Sequence, residues 1–318
     1  MKFVITGALG HIGSSLIRYL PKVYSGCRIV MIDDMSVQRY CSLFDLPGNA
    51  SYRLVEGDVR KLDLGSLVAG ADVLIHLAAI TDAANSFGNA EQVEQNNFES
   101  TRAVAAACVE AGVALIFPSS TSVYGIQEGE VDEDCPIDQL KPQSPYAETK
   151  LREEAFLAAL VREKGLRAAV CRFGTIYGTS PGMRFHTAVN KFCWQAVNGI
   201  PLTVWRTAYD QYRPYLSLDD AASAVRFIVD RALYSPDVIN VVSNNHTVRE
   251  VVDAVRLHVP DCQVNFVENK IMNQLSYKVR NAKLLAAGFE ARGRLADGVA
   301  ETIRLIGQIH SLQESVPA

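Results

Sequence analysis

Residues 3–15 read Phe-Val-Ile-Thr-Gly-Ala-Leu-Gly-His-Ile-Gly-Ser-Ser, with glycines at positions 7, 10 and 13. The apolar run before the glycines predicts a strand buried on both faces, and the apolar spacing from Ile12 to Leu20 predicts a helix. A strand, a glycine turn and a helix N-terminus favour a pyrophosphate, because backbone N–H groups and the helix dipole attract an anion. The alternative is a glycine turn that serves only packing.

Acidic residues follow the next two apolar runs. Asp33 lies 20 residues after the last glycine, where a carboxylate can accept hydrogen bonds from an adenosine ribose and repels a 2′-phosphate. Together with Asp34 it predicts NAD rather than NADP, and Arg39, the nearby basic residue, would at most partly offset the two acids. Asp58 is expected to accept a hydrogen bond from the adenine amino group, with Val59 supporting the ring. An ordinary turn at the strand end is the alternative for Asp58.

The composition limits the classes of function. The chain has 318 residues, 48% of them hydrophobic, and a net charge of −4, which supports a large core and argues against a nucleic-acid surface. No apolar run approaches the ~18 residues that cross a bilayer, and no secretory signal is evident, so we expect a cytoplasmic protein without a membrane segment. Seven scattered cysteines without a Cys-x-x-Cys pair argue against a metal site or a disulfide framework.

Predicted strands and helices alternate through the first half of the chain. This alternation predicts an α/β fold with a Rossmann-like, doubly wound parallel sheet, whose ligands lie beyond the carboxyl ends of the strands. The rhythm changes after Gly178. We therefore expect an NAD-binding domain over residues 1–178 and a smaller α/β substrate-binding lobe over residues 179–318, with segments around 212–243 returning to the large sheet.

The fourth apolar run ends in His76. Small residues follow it at Ala78 and Ala79, where they would let a cofactor lie against the backbone. His76 itself is either a catalytic base or a buried, hydrogen-bonded histidine, and the second interpretation is favoured.

A tyrosine and a lysine carry the main catalytic signal. Tyr146 and Lys150 share one face of a helix that Ser144 and Pro145 are predicted to begin, and a serine cluster at residues 119–122 precedes them. The ammonium, the positive helix end and an oxidised nicotinamide would each lower the pKa of the phenol. The phenolate could then take the proton of a substrate hydroxyl at neutral pH.

As a set, these motifs resemble the extended short-chain dehydrogenase/reductases of the nucleotide-sugar epimerase/dehydratase group. The resemblance runs nearly end to end and includes Thr6-Gly7-x-x-Gly10-x-x-Gly13, His76-Leu77-Ala78-Ala79, Tyr146-x-x-x-Lys150, Arg172-Phe173-Gly174-x-x-Tyr177-Gly178 and Arg213-Pro214-Tyr215. It implies that the substrate is a nucleotide-diphosphate sugar and that Ser120, Tyr146 and Lys150 are catalytic.

The resemblance, together with the residues themselves, predicts two sets of binding residues. Those predicted for NAD are Gly7, Gly10, His11, Ile12, Gly13, Asp33, Asp34, Asp58, Val59, Leu77, Ala78, Ala79, Asn97, Tyr146, Lys150 and Phe173. Those predicted for the substrate are Thr81, Thr121, Ser122, Thr175, Arg184, His186 and Arg213. Arg213 would grip the diphosphate, as suits a guanidinium fork. A surface arginine and a packing histidine are equally open interpretations of Arg184 and His186.

The resemblance also implies a homodimer. The helices predicted over residues 91–111 and 144–164 carry apolar residues beyond one stripe and could form a four-helix bundle between two subunits. The alternative is that both helices simply cover the sheet. The residues used for this prediction are Val104, Ala105, Cys108, Phe156, Leu157 and Leu160.

Departures from the family pattern narrow the range of reactions that the chain could catalyse. Family 4,6-dehydratases place an Asp-Glu pair where Thr121 and Ser122 stand here, and 3,5-epimerases of the group place a cysteine at the position of Ser122. Many members carry an asparagine at the position of Thr175. We therefore expect a C4 epimerase that works through a transient 4-keto sugar. The alternative is a nucleotide-sugar 4-dehydrogenase or ketosugar reductase, and a more distant one is a non-catalytic nucleotide-binding protein.

Overall fold

The computed structural model describes residues 1–81, 88, 90–268 and 276–314, with side chains up to residue 307. The strands are β1 (Lys2–Thr6), β2 (Arg28–Asp33), β3 (Ser51–Glu56), β4 (Val73–His76), β5 (Ala114–Ser120), β6 (Glu130–Val131), β7 (Ala168–Phe173), β8 (Thr175–Tyr177), β9 (Leu202–Trp205), β10 (Tyr212–Ser217), β11 (Val238–Val241), β12 (Asn244–Thr247), β13 (Val264–Val267) and β14 (Lys278–Val279). The helices are α1 (His11–Val23), α2 (Leu64–Val68), α3 (Ala90–Ala111), α4 (Pro145–Lys164), α5 (Ala188–Val197), α6 (Leu218–Arg231), α7 (Val248–Arg256), α8 (Ala282–Ala286) and α9 (Leu295–Glu314).

A seven-stranded sheet has the order β11-β7-β5-β4-β1-β2-β3. All of its pairs are parallel. The strand order reverses between β1 and β4, and a doubly wound sheet opens a ligand crevice at that point, at the carboxyl ends of its strands. The sheet confirms the predicted α/β class and doubly wound architecture.

Helices cover both faces of this sheet. One apolar cluster joins α1 and α6 to one face, and a second joins α2, α3 and α4 to the other. The apolar runs at Phe3–Ile5 and Leu74–Ile75 are fully buried, as expected for strands covered on both sides. These buried strands end at one edge, where the predicted site residues lie.

A smaller α/β lobe packs beside this edge. It contains the three-stranded sheet β12-β10-β8, the pair β13-β9 and a third apolar cluster, which includes residues of α5, α7 and α9. The segment around 212–243 is divided between the two regions. Strand β10 belongs to the small sheet, whereas α6 covers the large sheet and β11 pairs with β7.

Most of the residues used to predict a dimer surface lie in the core. Val104, Ala105, Cys108 and Leu157 are fully buried between their helices and the large sheet. Phe156 and Leu160 keep part of their surface exposed, and the Phe156 ring packs on Phe98 with centroids 5.5 Å apart. The sequence argument misassigned four residues, because a helix that packs on both a sheet and a neighbouring helix needs a wide apolar face.

Two absences hold for the described ranges. No helix within them is long and apolar enough to cross a bilayer. No group of three His, Cys, Asp or Glu side chains among the described residues could hold a metal ion.

Candidate active site

The glycine turn between β1 and α1 lies against the end of β4. Gly7 has φ of +63°, and a Cβ there would stand 2.7 Å from the Ala78 nitrogen. A Cβ on Gly13 would stand 2.4 Å from the Gly7 oxygen, so both positions require glycine. Helix α1 therefore begins directly at the turn, and its first N–H groups have no partners within the helix. This backbone suits a pyrophosphate.

Asp33 ends β2 beside this turn. Its carboxylate accepts hydrogen bonds from the N–H groups of Leu9, at 3.0 Å, and Met35, at 3.1 Å. The Arg39 guanidinium lies beside Gly10, with Nη1 3.6 Å from the place of a Cβ. Asp33 thus orders the glycine turn. It does so from the position at which the sequence predicts a contact with the cofactor's ribose.

Asp34 and Asp58 both accept hydrogen bonds within local turns. Exposed Asp34 bonds the N–H of Ser36 at 3.0 Å. Asp58 bonds the N–H of Arg60 at 2.9 Å and pairs with its guanidinium at 2.6 Å, and these hydrogen bonds lower the pKa of Asp58 to about 2. The turn that was the alternative interpretation of Asp58 is therefore present, with the carboxylate charged and paired.

The end of β4 is held by buried hydrogen bonds. His76 Nδ1 lies 2.7 Å from the Thr6 hydroxyl, and burial lowers the pKa of His76 to about 3. His76 is thus the buried, hydrogen-bonded histidine that the sequence favoured. Asn97 is fully buried in α3 and binds both the N–H and the C=O of Ile80, at 2.8 and 2.9 Å. Its hydrogen bonds fix the backbone next to Thr81. The Thr81 hydroxyl is buried without a partner among the described residues.

Ser120, Tyr146 and Lys150 come together at the carboxyl end of β5. Ser144 caps α4 by accepting from the Ala147 N–H at 3.2 Å, which places Tyr146 in the first turn. The Ser120 side chain lies close enough to the Tyr146 hydroxyl to act on its pKa in the lowering direction. The Lys150 Nζ lies 6.0 Å from the centroid of the Tyr146 ring. The predicted trio is therefore assembled.

Burial and charge act on Tyr146 in opposite directions. Burial raises the pKa of the phenol above its usual value, although Lys150, Arg184 and Ser120 act in the lowering direction, as the sequence predicts for Lys150. The sequence argument counted the positive groups and left out the loss of hydration, which disfavours the phenolate. A further positive charge at this place would act in the lowering direction.

Thr121 and Ser122 follow Ser120 in a short 3₁₀ helix, Thr121–Tyr124. Ser122 bonds the Ser120 hydroxyl through its N–H, at 3.2 Å, and its own hydroxyl, at 2.8 Å. Buried Thr121 donates to the Phe173 carbonyl at 3.3 Å and lies close enough to Tyr277 to act on its pKa. Its hydroxyl proton is thus bound inside the protein, and the predicted substrate contact stays a prediction.

Tyr277 is a neighbour that sequence reasoning missed. It is buried beside Arg213 and Tyr215. Arg213 donates to the Tyr212 carbonyl and to the Gln211 side chain, both at 3.0 Å, and burial lowers its pKa. No motif marks Tyr277, because more than 100 residues separate it from Thr121 in the chain.

Thr175 and Phe173 lie on adjoining strands at the same edge. Phe173, at the end of β7, pairs in register with Ser120. Thr175 is half-buried in β8 and pairs with Tyr215 of β10. The small sheet thus continues the site toward Arg213.

The loop after β8 lies on the glycine turn. The Ser180 hydroxyl donates to the His11 carbonyl at 2.9 Å and lies 2.8 Å from His11 Nδ1. The Gly182 N–H donates to the Ser14 hydroxyl at 2.9 Å, and a Cβ on Gly182 would stand 2.3 Å from the Leu9 oxygen. Sequence reasoning did not assign Ser180 or Gly182 a role, since these contacts join segments far apart in the chain.

Arg184, in the same loop, lies between the two halves of the site. Its charge lowers the pKa of both His11 and Tyr146. Burial is the larger cause for His11, whose pKa falls to about 3, and His186 and Arg39 add to it. The neutral His11 ring faces Ser180 through Nδ1, and its Nε2 is buried without a hydrogen-bond partner among the described residues. The chain thus offers an N-terminal helix turn, an acid at the end of β2 and nearby cations, which fit a dinucleotide.

Comparisons with known proteins agree with this geometry. The model of the NAD-dependent epimerase/dehydratase family matches residues 3–241. The chain is 31% identical, over 94% of its length, to the trifunctional UDP-glucose 4,6-dehydratase/UDP-4-keto-6-deoxy-D-glucose 3,5-epimerase/UDP-4-keto-L-rhamnose-reductase RHM2 of Arabidopsis thaliana, and spans 46% of that protein. It is 29% identical to the uncharacterized UDP-glucose epimerase YtcB of Bacillus subtilis, over 76% of each chain. The chain therefore spans about half the length of the plant relative.

Solved structures with bound NAD and a nucleotide sugar also resemble this chain. The UDP-glucuronic acid 4-epimerase of Bacillus cereus, in complex with UDP-glucuronic acid and NAD, superposes with a TM-score of 0.85 at 25% identity, covering 97% of this chain and 100% of that one. MoeE5, in complex with UDP-glucuronic acid and NAD, superposes with a TM-score of 0.83 at 26% identity over the same shares.

Proposed function

Since the chain belongs to the NAD-dependent epimerase/dehydratase family, we propose that it epimerises a nucleotide-diphosphate sugar at C4. The observation that supports this proposal is the cluster of Ser120, Tyr146 and Lys150 at the carboxyl end of β5. The relatives include dehydratases, but the positions of their expected acid pair hold Thr121 and Ser122, which carry no carboxyl group. A reaction that needs only a proton shuttle and hydride exchange fits these side chains best.

Each residue of the trio has its own role in the proposed reaction. Ser120 holds the sugar hydroxyl, and Tyr146 takes its proton through the phenolate oxygen. Bound NAD would supply the hydride acceptor and hydride donor for the same carbon. Lys150 stabilises the phenolate with its positive charge and holds the ribose. After the keto sugar has turned in the site, Tyr146 gives its proton back to the oxygen, so that no proton or electron pair is lost overall.

We assign the two ends of the site to two binding tasks. Residues 1–178 hold NAD, and residues 179–318 supply most contacts to the sugar nucleotide. Arg213 binds the diphosphate, since its guanidinium can form paired hydrogen bonds with phosphate oxygens. We assign Ser122, Thr175, Arg184, His186 and Thr81 to the sugar; of these, Arg184 is close enough to Tyr146 to act on its pKa.

The homodimer remains a proposal, and it now rests only on the apolar residues that α3 and α4 leave partly exposed. Phe98, Phe156 and Leu160 leave apolar surface exposed on α3 and α4, and a second copy could cover it. Light scattering at micromolar concentration should give the mass of two chains. A single-chain mass would count against this interface.

Product analysis tests the reaction. The protein is incubated with UDP-, GDP-, dTDP- and CDP-sugars, including UDP-glucose and UDP-glucuronic acid, without added cofactor, and the products are followed by NMR. An isomer of equal mass with inverted C4 is expected. A keto product with stoichiometric NADH, or turnover only with an external oxidant, would replace epimerisation by the dehydrogenase alternative. Loss of water from the sugar would indicate a dehydratase.

A further inference from the structure

A buried carboxylate lies beside the Lys150 ammonium. Glu153 follows Lys150 by about one turn of α4, and its Oε2 lies 3.1 Å from Nζ. Its other oxygen accepts a hydrogen bond from the Thr101 hydroxyl of α3 at 2.5 Å. Lys150 and Glu153 are 3% and 0% exposed, so water screens the pair little. The Phe117 ring lies on the same ammonium, with its centroid 4.3 Å away.

The next residue shows that this arrangement is not a general property of acids in α4. Glu154 binds Arg172 with both oxygens and accepts from Ser119, so it joins α4 to β7 and β5. Glu153 instead pairs with the lysine of the proposed trio. A buried ion pair adds little net stability over an apolar pair, so stability alone does not account for it.

We propose that Glu153 is a positioning residue, whose carboxylate fixes the Lys150 ammonium and offsets part of its charge beside Tyr146. The proposal rests on the proposed function of Tyr146 and Lys150 and adds a third ionic group to it. Thr101 is part of the arrangement, since its hydroxyl holds the carboxylate from the side of α3. Glu153 of α4 and Thr101 of α3 together thus hold the Lys150 ammonium in place.

The charged groups around Tyr146 determine the expected effect. Lys150 and Glu153 face it from α4 and Arg184 from the loop after β8, while neutral His76 lies near Lys150 at the end of β4. Lys150 and Arg184 favour the phenolate, and Glu153 opposes it. Glu153→Gln removes the negative charge, so the first proton of the Tyr146–Lys150 pair should leave at lower pH. The shift should be on the order of one pH unit, as for a unit charge several ångströms away.

Titration of the phenol tests this directly. Tyrosine labelled with ¹³C at Cζ is followed by NMR against pH in the NAD-bound protein, and Tyr146→Phe identifies the signal. Glu153→Gln should move the transition of Tyr146 down by about one unit. Glu153→Asp keeps the charge and should stay near the wild type. Glu163→Gln, the same change at an exposed position of α4, should have no effect. An unchanged or higher transition in Glu153→Gln would overturn the proposal.

A second measurement tests the pairing even if the protein with Glu153→Gln alone does not fold. Lys150→Met leaves the Glu153 carboxylate buried without its cation, which is strongly destabilising. Adding Glu153→Gln to Lys150→Met should therefore raise the unfolding temperature, and a lack of any gain would refute the pairing. Neither measurement uses turnover, so both remain valid if no nucleotide sugar is epimerised. Where turnover is found, the acid limb of kcat/KM should shift with the phenol.

Discussion

Replacing Tyr146 by phenylalanine removes one hydroxyl from the centre of the site. That hydroxyl lies close to Ser120, and Ser120 keeps the two hydrogen bonds from Ser122 after the change. The fold and the NAD site should therefore survive, with a loss of about 1 kcal/mol of unfolding free energy for one hydrogen bond. The proton acceptor, in contrast, is lost completely.

The expected loss of turnover follows from that role. Removing a general acid–base group costs about 10²–10⁴-fold in rate, or about 3–5 kcal/mol of barrier at about 1.4 kcal/mol per tenfold. The effect on catalysis should thus exceed the effect on stability several times over. Initial rates of C4 inversion by NMR, together with chemical unfolding of both proteins, measure the two quantities.

Tyr177→Phe is the matched control. Tyr177 is 1% exposed, and its buried hydroxyl has no hydrogen-bond partner among the described residues. Its removal should leave turnover unchanged and should not lower the stability, because an unpaired buried hydroxyl is costly. A Tyr146→Phe protein with near wild-type turnover would refute the assignment of the base. Equal losses in both variants would show that the assay reports packing rather than proton transfer.

Three further changes test the rest of the site. Arg213→Ala should raise KM for a nucleotide sugar far more than for the free sugar, and equal rises would argue against a diphosphate contact. Gly182→Ala places a Cβ 2.3 Å from the Leu9 oxygen and should weaken NAD binding in calorimetry, whereas unchanged affinity would show that the loop is not coupled to the glycine turn. Glu154→Gln leaves the Arg172 guanidinium buried without its carboxylate and should cost about 3–5 kcal/mol in urea unfolding, and a loss no larger than that of an exposed pair would contradict this.

Local chemistry made much of the site predictable. Ser144 and Pro145 begin α4 where the sequence predicts, because an N-cap hydroxyl and a fixed proline φ act within one turn. The glycine turn was recognisable for the same reason, since glycine is needed where backbone approaches backbone. The alternation of apolar runs and helical patterns determined the order of the elements, and with it the edge at which the strands end.

Long-range contacts and burial were not predictable in this way. The proximity of Thr121 to Tyr277 and the hydrogen bond from Ser180 to His11 join residues more than 100 positions apart without any pattern in the sequence. The raised pKa of Tyr146 depends on how much water the folded chain excludes. The sequence by itself determined which groups are available for chemistry, because propensity and spacing are local. The tertiary structure alone decided which of them meet and how strongly each is desolvated, because both depend on the packing of distant segments.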